Sequence, residues 1–266
     1  MKRITMILAF AMLAAITSAA QEKPKADAPK ADAPKADAPN TDTKAAALPN
    51  VDEILEKYVK ALGGKEAFEK LSSCSSKGTF EIEAMNLTGD MERYQKAPNK
   101  FATLFSIPGM GGGGSGYDGD KGWDSNPMSG LRDLSGEELA VLKREADFYQ
   151  PLNFKKHFPK LEVKGKQTVG SSETYVVIAT PDVGGPEKLY FDIATGLLVR
   201  WDAEHETAQG KLASESYFDE YKEVGGVKMA HSLKIVSPMF SLKIKFTDIK
   251  TNVEIDDAKF SKPAGN

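Results

Sequence analysis

The stretch that decides the fold is residues 174–249, TYVVIATPDVGGPEKLYFDIATGLLVRWDAEHETAQGKLASESYFDEYKEVGGVKMAHSLKIVSPMFSLKIKFTDI. It consists of short segments rich in β-branched and aromatic residues, the types enriched in strands. Turn residues such as Gly225-Gly226 and Ser237-Pro238 separate the segments. This spacing predicts antiparallel strands in a meander, a sandwich or a barrel. The predicted strands are Thr174–Thr180, Glu187–Ile193, Leu197–Trp201, Ala213–Tyr221, His231–Val236 and Ser241–Ile249.

The chain before this stretch contains helical patterns and further strands. Val51–Leu71 has apolar residues at three- and four-residue spacing, interrupted by Gly63-Gly64, which favours one helix followed by a shorter one. Ser135–Tyr149 has the same spacing, and Ser135 and Glu138 occupy the positions of a capping box. Period-two alternation predicts additional strands at Lys77–Ala84, Leu87–Gln95 and Lys100–Ile107. We expect an α+β fold with about ten strands and two or three helices.

The last predicted strand is apolar on one side only. Leu242, Ile244 and Phe246 alternate with Lys243 and Lys245. A sheet with one apolar face must be covered, either by curling on itself or by helices. We therefore expect a strongly curved antiparallel sheet that forms an unclosed β-barrel, with the helices covering its concave face.

An apolar concave face is a candidate site for a greasy ligand, although in small barrels the side chains themselves fill the interior. Strand alternation assigns thirteen side chains to this face. These ligand-binding candidates are Phe80, Ile82, Phe101, Leu104, Leu189, Phe191, Val199, Trp201, Leu233, Ile235, Leu242, Ile244 and Phe246.

The first fifty residues have the composition of targeting and linker segments. Lys2 and Arg3 precede an apolar run that ends near Ser18-Ala19-Ala20, which predicts a secretory signal peptide over residues 1–20. Three copies of Lys-Ala-Asp-Ala-Pro follow, and their regular prolines and lack of large apolar residues predict a disordered linker over residues 21–49. The folded domain is then expected at residues 50–266.

Charge and cysteine content exclude several classes of function. Removing residues 1–20 takes away two basic residues and no acidic ones, so the formal charge moves from −3 to −5. A mildly acidic body provides no footprint for nucleic acid. Cys74 is the only cysteine, so the chain forms no internal disulfide and no cysteine-based zinc site.

The glycine-rich and acidic segments do not predict a cofactor or metal. Pro108–Gly116 contains a Gly-x-Gly-x-x-Gly pattern, but no helical pattern follows it, so we interpret it as a loop. Asp118, Asp120 and Asp124 resemble part of a calcium loop whose twelfth position falls on Ser129, so a turn is the better interpretation. His205 lies among acidic residues in a predicted turn without metal-ligand spacing. No nucleophile elbow or zinc-protease motif is present.

The order of elements resembles a known family. An amphipathic N-terminal helix that begins Val51-Asp-Glu-Ile-Leu-Glu-Lys-Tyr-Val-Lys-Ala-Leu-Gly-Gly64 precedes hairpin strands. The turn Tyr117-Asp-Gly-Asp-Lys-Gly-Trp123, a helix and a β-meander follow. Over residues 50–263 the chain is similar to the outer-membrane lipoprotein-sorting (LolA/LolB-like) proteins, as a divergent member. This resemblance implies a half-barrel capped by helices around a hydrophobic cavity that takes acyl chains. It assigns no functional role to an individual residue here.

These observations lead to one expected function and two alternatives. We expect a periplasmic carrier for a lipid, an acyl chain or a lipoprotein that is soluble, monomeric and non-catalytic, without a cofactor or a lipid anchor. An envelope membrane protein is a further expected partner, and nucleic acid is not. The first alternative is a structural or adaptor domain of the cell envelope with a filled barrel. The second is an envelope hydrolase without a recognisable motif.

Overall fold

The structure, a computed structural model, describes residues 47–127, 129–207 and 210–264, without the side chains of residues 205–211. The predicted signal peptide and nearly all of the predicted linker lie outside these residues. Four α-helices and thirteen strands are described. They are α1 (Val51–Ala61), α2 (Lys65–Glu69), β1 (Ser73–Ile82), β2 (Leu87–Lys96), β3 (Lys100–Ile107), β4 (Gly111–Tyr117), β5 (Gly122–Asn126), β6 (Gly130–Asp133), α3 (Gly136–Ala146), α4 (Phe154–His157), β7 (Lys160–Val169), β8 (Ser172–Thr180), β9 (Glu187–Asp192), β10 (Leu198–Thr207), β11 (Gly210–Val224), β12 (Val227–Val236) and β13 (Ser241–Thr251).

The strands form a single antiparallel sheet in the order β6-β5-β4-β3-β2-β1-β13-β12-β11-β10-β9-β8-β7. The sheet is curved and unclosed, as expected, with thirteen strands where about ten were expected. Its two edge strands, β6 and β7, are consecutive along the chain except for the segment that contains α3 and α4. That connection, together with α1 and α2, supplies the helices that cover one face of the sheet.

Residues 111–116 of the glycine-rich segment lie in a strand, so their interpretation as a loop was wrong, whereas residues 108–110 form a turn. Gly111–Tyr117 pairs with β3 on one side and with β5 on the other. Large side chains of the neighbouring strands occupy the space that side chains of β4 would otherwise take. A Cβ atom at Gly113 would approach Cζ of Phe105 to 2.8 Å, and one at Gly116 would approach the indole of Trp123 to 2.7 Å.

The first helical segment is as predicted. Asn50 caps α1, because its side chain accepts a hydrogen bond from the backbone N–H of Glu53 while Glu53 binds the backbone N–H of Asn50. This reciprocal arrangement satisfies two of the N–H groups left free at a helix start. The chain breaks at Gly63 and Gly64, both with positive φ, before α2.

The second predicted helix is shorter than expected and lacks the predicted capping box. Ser135 precedes α3 but makes no capping hydrogen bond with its side chain. Glu138 instead accepts two hydrogen bonds from Arg132, each 2.9 Å long. Helix α3 ends at Ala146, because the Asp147 carboxylate accepts from the backbone N–H of Tyr149 and turns the chain toward α4, a helix that the sequence did not predict.

The C-terminal segment, residues 252–264, lies across the convex face of β2 to β5 and is called the C-terminal strap. Phe260 is fully buried in a cluster with Tyr94, Ala102 and Ile255, and its carbonyl accepts a 2.8 Å hydrogen bond from Trp123. The helices cover the opposite face, which is called the concave face. No helix among the described residues is long and apolar enough to cross a membrane.

Candidate ligand-binding face

Seven of the thirteen predicted ligand-binding residues form one apolar cluster on β1, β12 and β13. The same cluster also includes Phe105 and Ile107 of β3 and Phe240 of the β12–β13 turn. The sheet therefore fills this part of the concave face with its own side chains. Across the whole set of thirteen, ten side chains are no more than 9% exposed. The seven that meet here are Phe80, Ile82, Leu233, Ile235, Leu242, Ile244 and Phe246.

Four more of the predicted residues lie under the helices. Leu189, Phe191 and the half-buried Trp201 belong to the apolar cluster formed with α1 and α4. Phe101 lies in a smaller cluster beneath α3, with Tyr117 and Leu142.

The assignment of Leu104 to the concave face was wrong, and Val199 lies at a bulge where the alternation behind its assignment does not hold. Leu104 pairs with Glu92 in the register that points to the convex face, where it packs against the C-terminal strap. Val199 is the residue at which the β9–β10 register shifts, and Leu198 is buried in its place. A β-bulge adds one residue to a strand, so period-two alternation fails there.

Aromatic rings attach the helices to the sheet. Tyr58 of α1 makes an edge contact with Phe191, with ring centroids 5.2 Å apart. Phe154 and Phe158, at either end of α4, lie 6.0 and 6.1 Å from the ring of Trp201. Aromatic contacts thus join helices α1 and α4 to strands β9 and β10.

One buried ion pair ties α3 to this aromatic cluster. Arg144 Nη2 lies 2.6 Å from Oε1 of Glu187, and the indole N–H of Trp201 donates to Oε2 of the same carboxylate at 2.7 Å. The guanidinium carbon of Arg144 also lies 5.5 Å from the centre of the Phe158 ring. Burial raises the pKa of Glu187, while Arg144 and Trp201 favour its charged form. The Arg144–Glu187 ion pair therefore connects α3 to the sheet beside Trp201.

A row of polar side chains crosses the apolar concave face. On β1 to β6, one residue of each strand pairs directly with one residue of the next strand. Directly paired residues of antiparallel strands project to the same face, so these side chains form a continuous row. The sequence analysis missed this row, because only the register of all six strands brings its members together. This polar row consists of Ser76, Arg93, Thr103, Ser115, Asp124 and Arg132.

Helix α3 places two carboxylates over the polar row. Glu138 binds Arg132, whereas Glu145 interacts with Arg93 through charge. The Arg93 guanidinium lies between two rings, 5.9 Å from the centre of Phe101 and 5.3 Å from that of Phe246. Burial lowers the pKa of Arg93 and raises that of Glu145.

His157 and His231 each have a hydrogen-bond partner within the fold. His157 Nε2 lies 2.6 Å from the Asp147 carboxylate in the turn between α3 and β7. His231 lies within β12 and its Nδ1 is 2.9 Å from the Met229 carbonyl oxygen. The backbone of His205 belongs to β10 instead of the predicted turn, and its side chain lies outside the described residues. Within the described part of the chain, no three His, Cys, Asp or Glu side chains form a metal-binding group.

Comparison with known proteins identifies the fold. No protein-family model and no curated protein sequence matches the chain.

Three solved structures are similar over most of their length. They are a DUF1329 family protein from Desulfovibrio piger (TM-score 0.55, 14% identity, 79% of this chain and 97% of that one), a putative outer membrane lipoprotein-sorting protein domain from Vibrio parahaemolyticus (0.53, 11%, 80% and 98%) and the LolA superfamily protein NE2245 from Nitrosomonas europaea (0.54, 13%, 81% and 99%). At such low identity the likeness is one of fold alone, and the chain shares the fold of these three proteins.

Proposed function

We propose that this protein is an exported carrier that binds a lipid, an acyl chain or the acyl groups of a lipoprotein, without catalysis. The observation that carries this proposal is the concave apolar face of an unclosed sheet. Helices cover this face and pack against it through apolar side chains, many of them aromatic. The similarity to a lipoprotein-sorting domain supports the proposal at the level of the fold.

Binding requires the helical cover to move. The thirteen-residue set is mostly buried against the protein's own side chains, so a ligand has to displace Phe154 and Phe158 from Trp201 to reach the sheet. Each chain methylene buried would contribute about 0.8 kcal/mol, which offsets the lost packing and gives low selectivity for chain identity.

A binding titration tests the proposal. The purified protein is mixed with an environment-sensitive fluorescent fatty acid, and the signal is then competed with phospholipid. Saturable, competed binding is expected, and no signal at tens of micromolar, a scale near −6 kcal/mol, would contradict a carrier role. Native mass spectrometry of protein taken from its own envelope would then identify the ligand.

The burial of the concave face also favours a second candidate, a structural or adaptor domain with a filled barrel. In that case Phe80, Ile244 and their neighbours act only as core. The two candidates differ in one result of the same titration, because a filled domain binds no acyl probe while it remains folded.

A further inference from the structure

The polar row contains buried atoms that the protein itself leaves without hydrogen bonds. Among the described residues, Thr103 Oγ1, both carboxylate oxygens of Asp124, and the Nε atoms of Arg93 and Arg132 have no hydrogen-bond partner. Thr103 is 3% exposed and Asp124 is fully buried. Arg132 Nε and Asp124 Oδ2 form an ion pair 3.4 Å apart, without hydrogen-bond geometry. Buried polar atoms in native proteins are normally paired, so this concentration calls for a missing partner.

Helix α3 adds one more atom of the same kind. Glu145 Oε2 is buried and has no hydrogen-bond partner among the described residues, although Arg93 and Arg144 interact with this carboxylate through charge. The helix therefore faces the polar row with an acceptor, and the row faces the helix with both donors and acceptors. A group bound between α3 and the polar row must therefore both donate and accept hydrogen bonds.

The atoms restrict the chemistry of that group. A carboxylate or phosphate only accepts, so it would leave the oxygens of Asp124 and Glu145 unpaired and would add negative charge beside them. An ammonium only donates, so it would leave the Nε atoms of Arg93 and Arg132 unpaired. A hydroxyl both donates and accepts, and several hydroxyls on one head would serve both sets.

Apolar side chains border the polar row along the strands. Two positions away from the row, Met91 and Phe105 lead into the apolar cluster around Phe80. Two positions from Thr103 on the other side, Phe101 lies beneath α3 with Tyr117 and Leu142, so a molecule with a polar head in the row would have its chain beneath the helical cover.

We propose that the polar row binds the uncharged polyol head of an amphiphile, such as a glycerol ester, whose acyl chain lies beneath the helical cover. This inference rests on the proposed carrier function and adds the class of head group to it. Thr103 and Asp124 are the central ligands for the head, and Arg93, Arg132 and Glu145 complete the set.

The test compares three ligands with the same twelve-carbon chain: 1-monolauroylglycerol, laurate and dodecylamine. Each competes with a fluorescent acyl probe on the full chain, below its micelle concentration. Two additional hydrogen bonds at about 0.5–1.5 kcal/mol each correspond to roughly tenfold tighter binding, so we expect about that preference for the glycerol ester. Thr103→Val and Asp124→Asn should each reduce the preference to less than about threefold while the affinity for laurate changes little.

Matched controls lie on the convex face of β2. Thr88 and Asp90 are exposed there, so Thr88→Val and Asp90→Asn should keep the full preference. Equal affinity for the three ligands in the unaltered protein would overturn the head-group assignment and leave the carrier function standing, with water as the partner of the row. A preference retained in both Thr103→Val and Asp124→Asn would also overturn it. Binding of none of the three ligands would overturn both proposals.

Discussion

Gly116 is one residue at which the absence of a side chain is required by packing. A Cβ atom there would lie 2.7 Å from three atoms of the Trp123 indole. We expect Gly116→Ala to lower the free energy of unfolding by about 1–3 kcal/mol, the usual range for overpacking. Gly185 is the matched control, because a Cβ there meets nothing within 4 Å and its φ is not positive. Urea unfolding of both variants checks this, and equal stabilities would contradict the packing account.

Asp124 should make stability depend on pH. Burial raises the pKa of Asp124 to about 6, above its ordinary value of 3.8, although the Arg132 guanidinium favours the charged form. The folded state therefore holds the proton more tightly than the unfolded state between these values. The resulting stability is complete below pH 4 and is lost as the pH rises through 6.

The Asp124→Asn variant removes this dependence, because the amide does not ionise. From pH 4 to pH 7, the unaltered protein should lose up to about 3 kcal/mol of stability that the variant keeps, since one pKa unit corresponds to about 1.4 kcal/mol. Urea unfolding at four pH values measures the difference. Asp90→Asn, at an exposed position, should follow the unaltered profile. Parallel pH profiles for Asp124→Asn and the unaltered protein would refute the assignment.

The sequence predicted local residues well where periodicity alone decides. The alternation of β13 placed Leu242, Ile244 and Phe246 on one buried face, as the structure has them. Leu104 was misassigned because it lies three positions from Phe101, an odd spacing that a regular strand cannot place on one face. Val199 differs from Leu104, because it lies at a bulge that no local sequence pattern indicates.

At the scale of elements, the helical cover depends on the buried pair between Arg144 and Glu187. Arg144→Gln would leave the Glu187 carboxylate buried without its cation, a change that costs about 3–5 kcal/mol. Hydrogen exchange over residues 136–158 should then become faster than in the unaltered protein. Lys155→Gln is the control, because Lys155 pairs with Asp52 on the surface, where such pairs contribute no more than about 1 kcal/mol. Unchanged exchange in Arg144→Gln would show that other contacts hold the cover.

The C-terminal strap should stabilise the convex face through Phe260. Phe260→Ala removes a fully buried ring, so we expect a loss of about 3–5 kcal/mol. The emission of Trp123 should shift to the red, because its N–H donates to the Phe260 carbonyl and the strap covers its ring. Lys262→Ala, at an exposed ion pair with Asp133, should change neither quantity by much. A stable Phe260→Ala variant with unshifted emission would mean that the strap does not hold this face.

Elements whose residues contradict their local propensity could not be predicted. Gly111–Tyr117 has the composition of a loop and becomes a strand because β3 and β5 pair with it on both sides. Helix α3 stops early because the Asp147 side chain takes the N–H of Tyr149, a contact that helical spacing does not reveal. The polar row likewise depends on the register of six strands, which no single segment encodes.

For the whole molecule, the sheet and its cover define two separate environments. Trp201 lies on the concave face against the stacked rings of Phe154 and Phe158, and Trp123 lies on the convex face under the C-terminal strap. The chain has no other tryptophan. Its two indoles therefore report independently on the face that we expect to bind a ligand and on the face that we expect to stay closed.

The most direct test of the carrier account is tryptophan emission during a titration with laurate and 1-monolauroylglycerol. In Trp123→Phe, Trp201 is the only reporter, and its emission should change saturably as the chain separates Phe154 and Phe158 from its ring. In Trp201→Phe, the emission of Trp123 should stay constant over the same titration. No change in Trp201 emission in the folded Trp123→Phe variant, or an equal change of both indoles, would contradict binding beneath the helical cover.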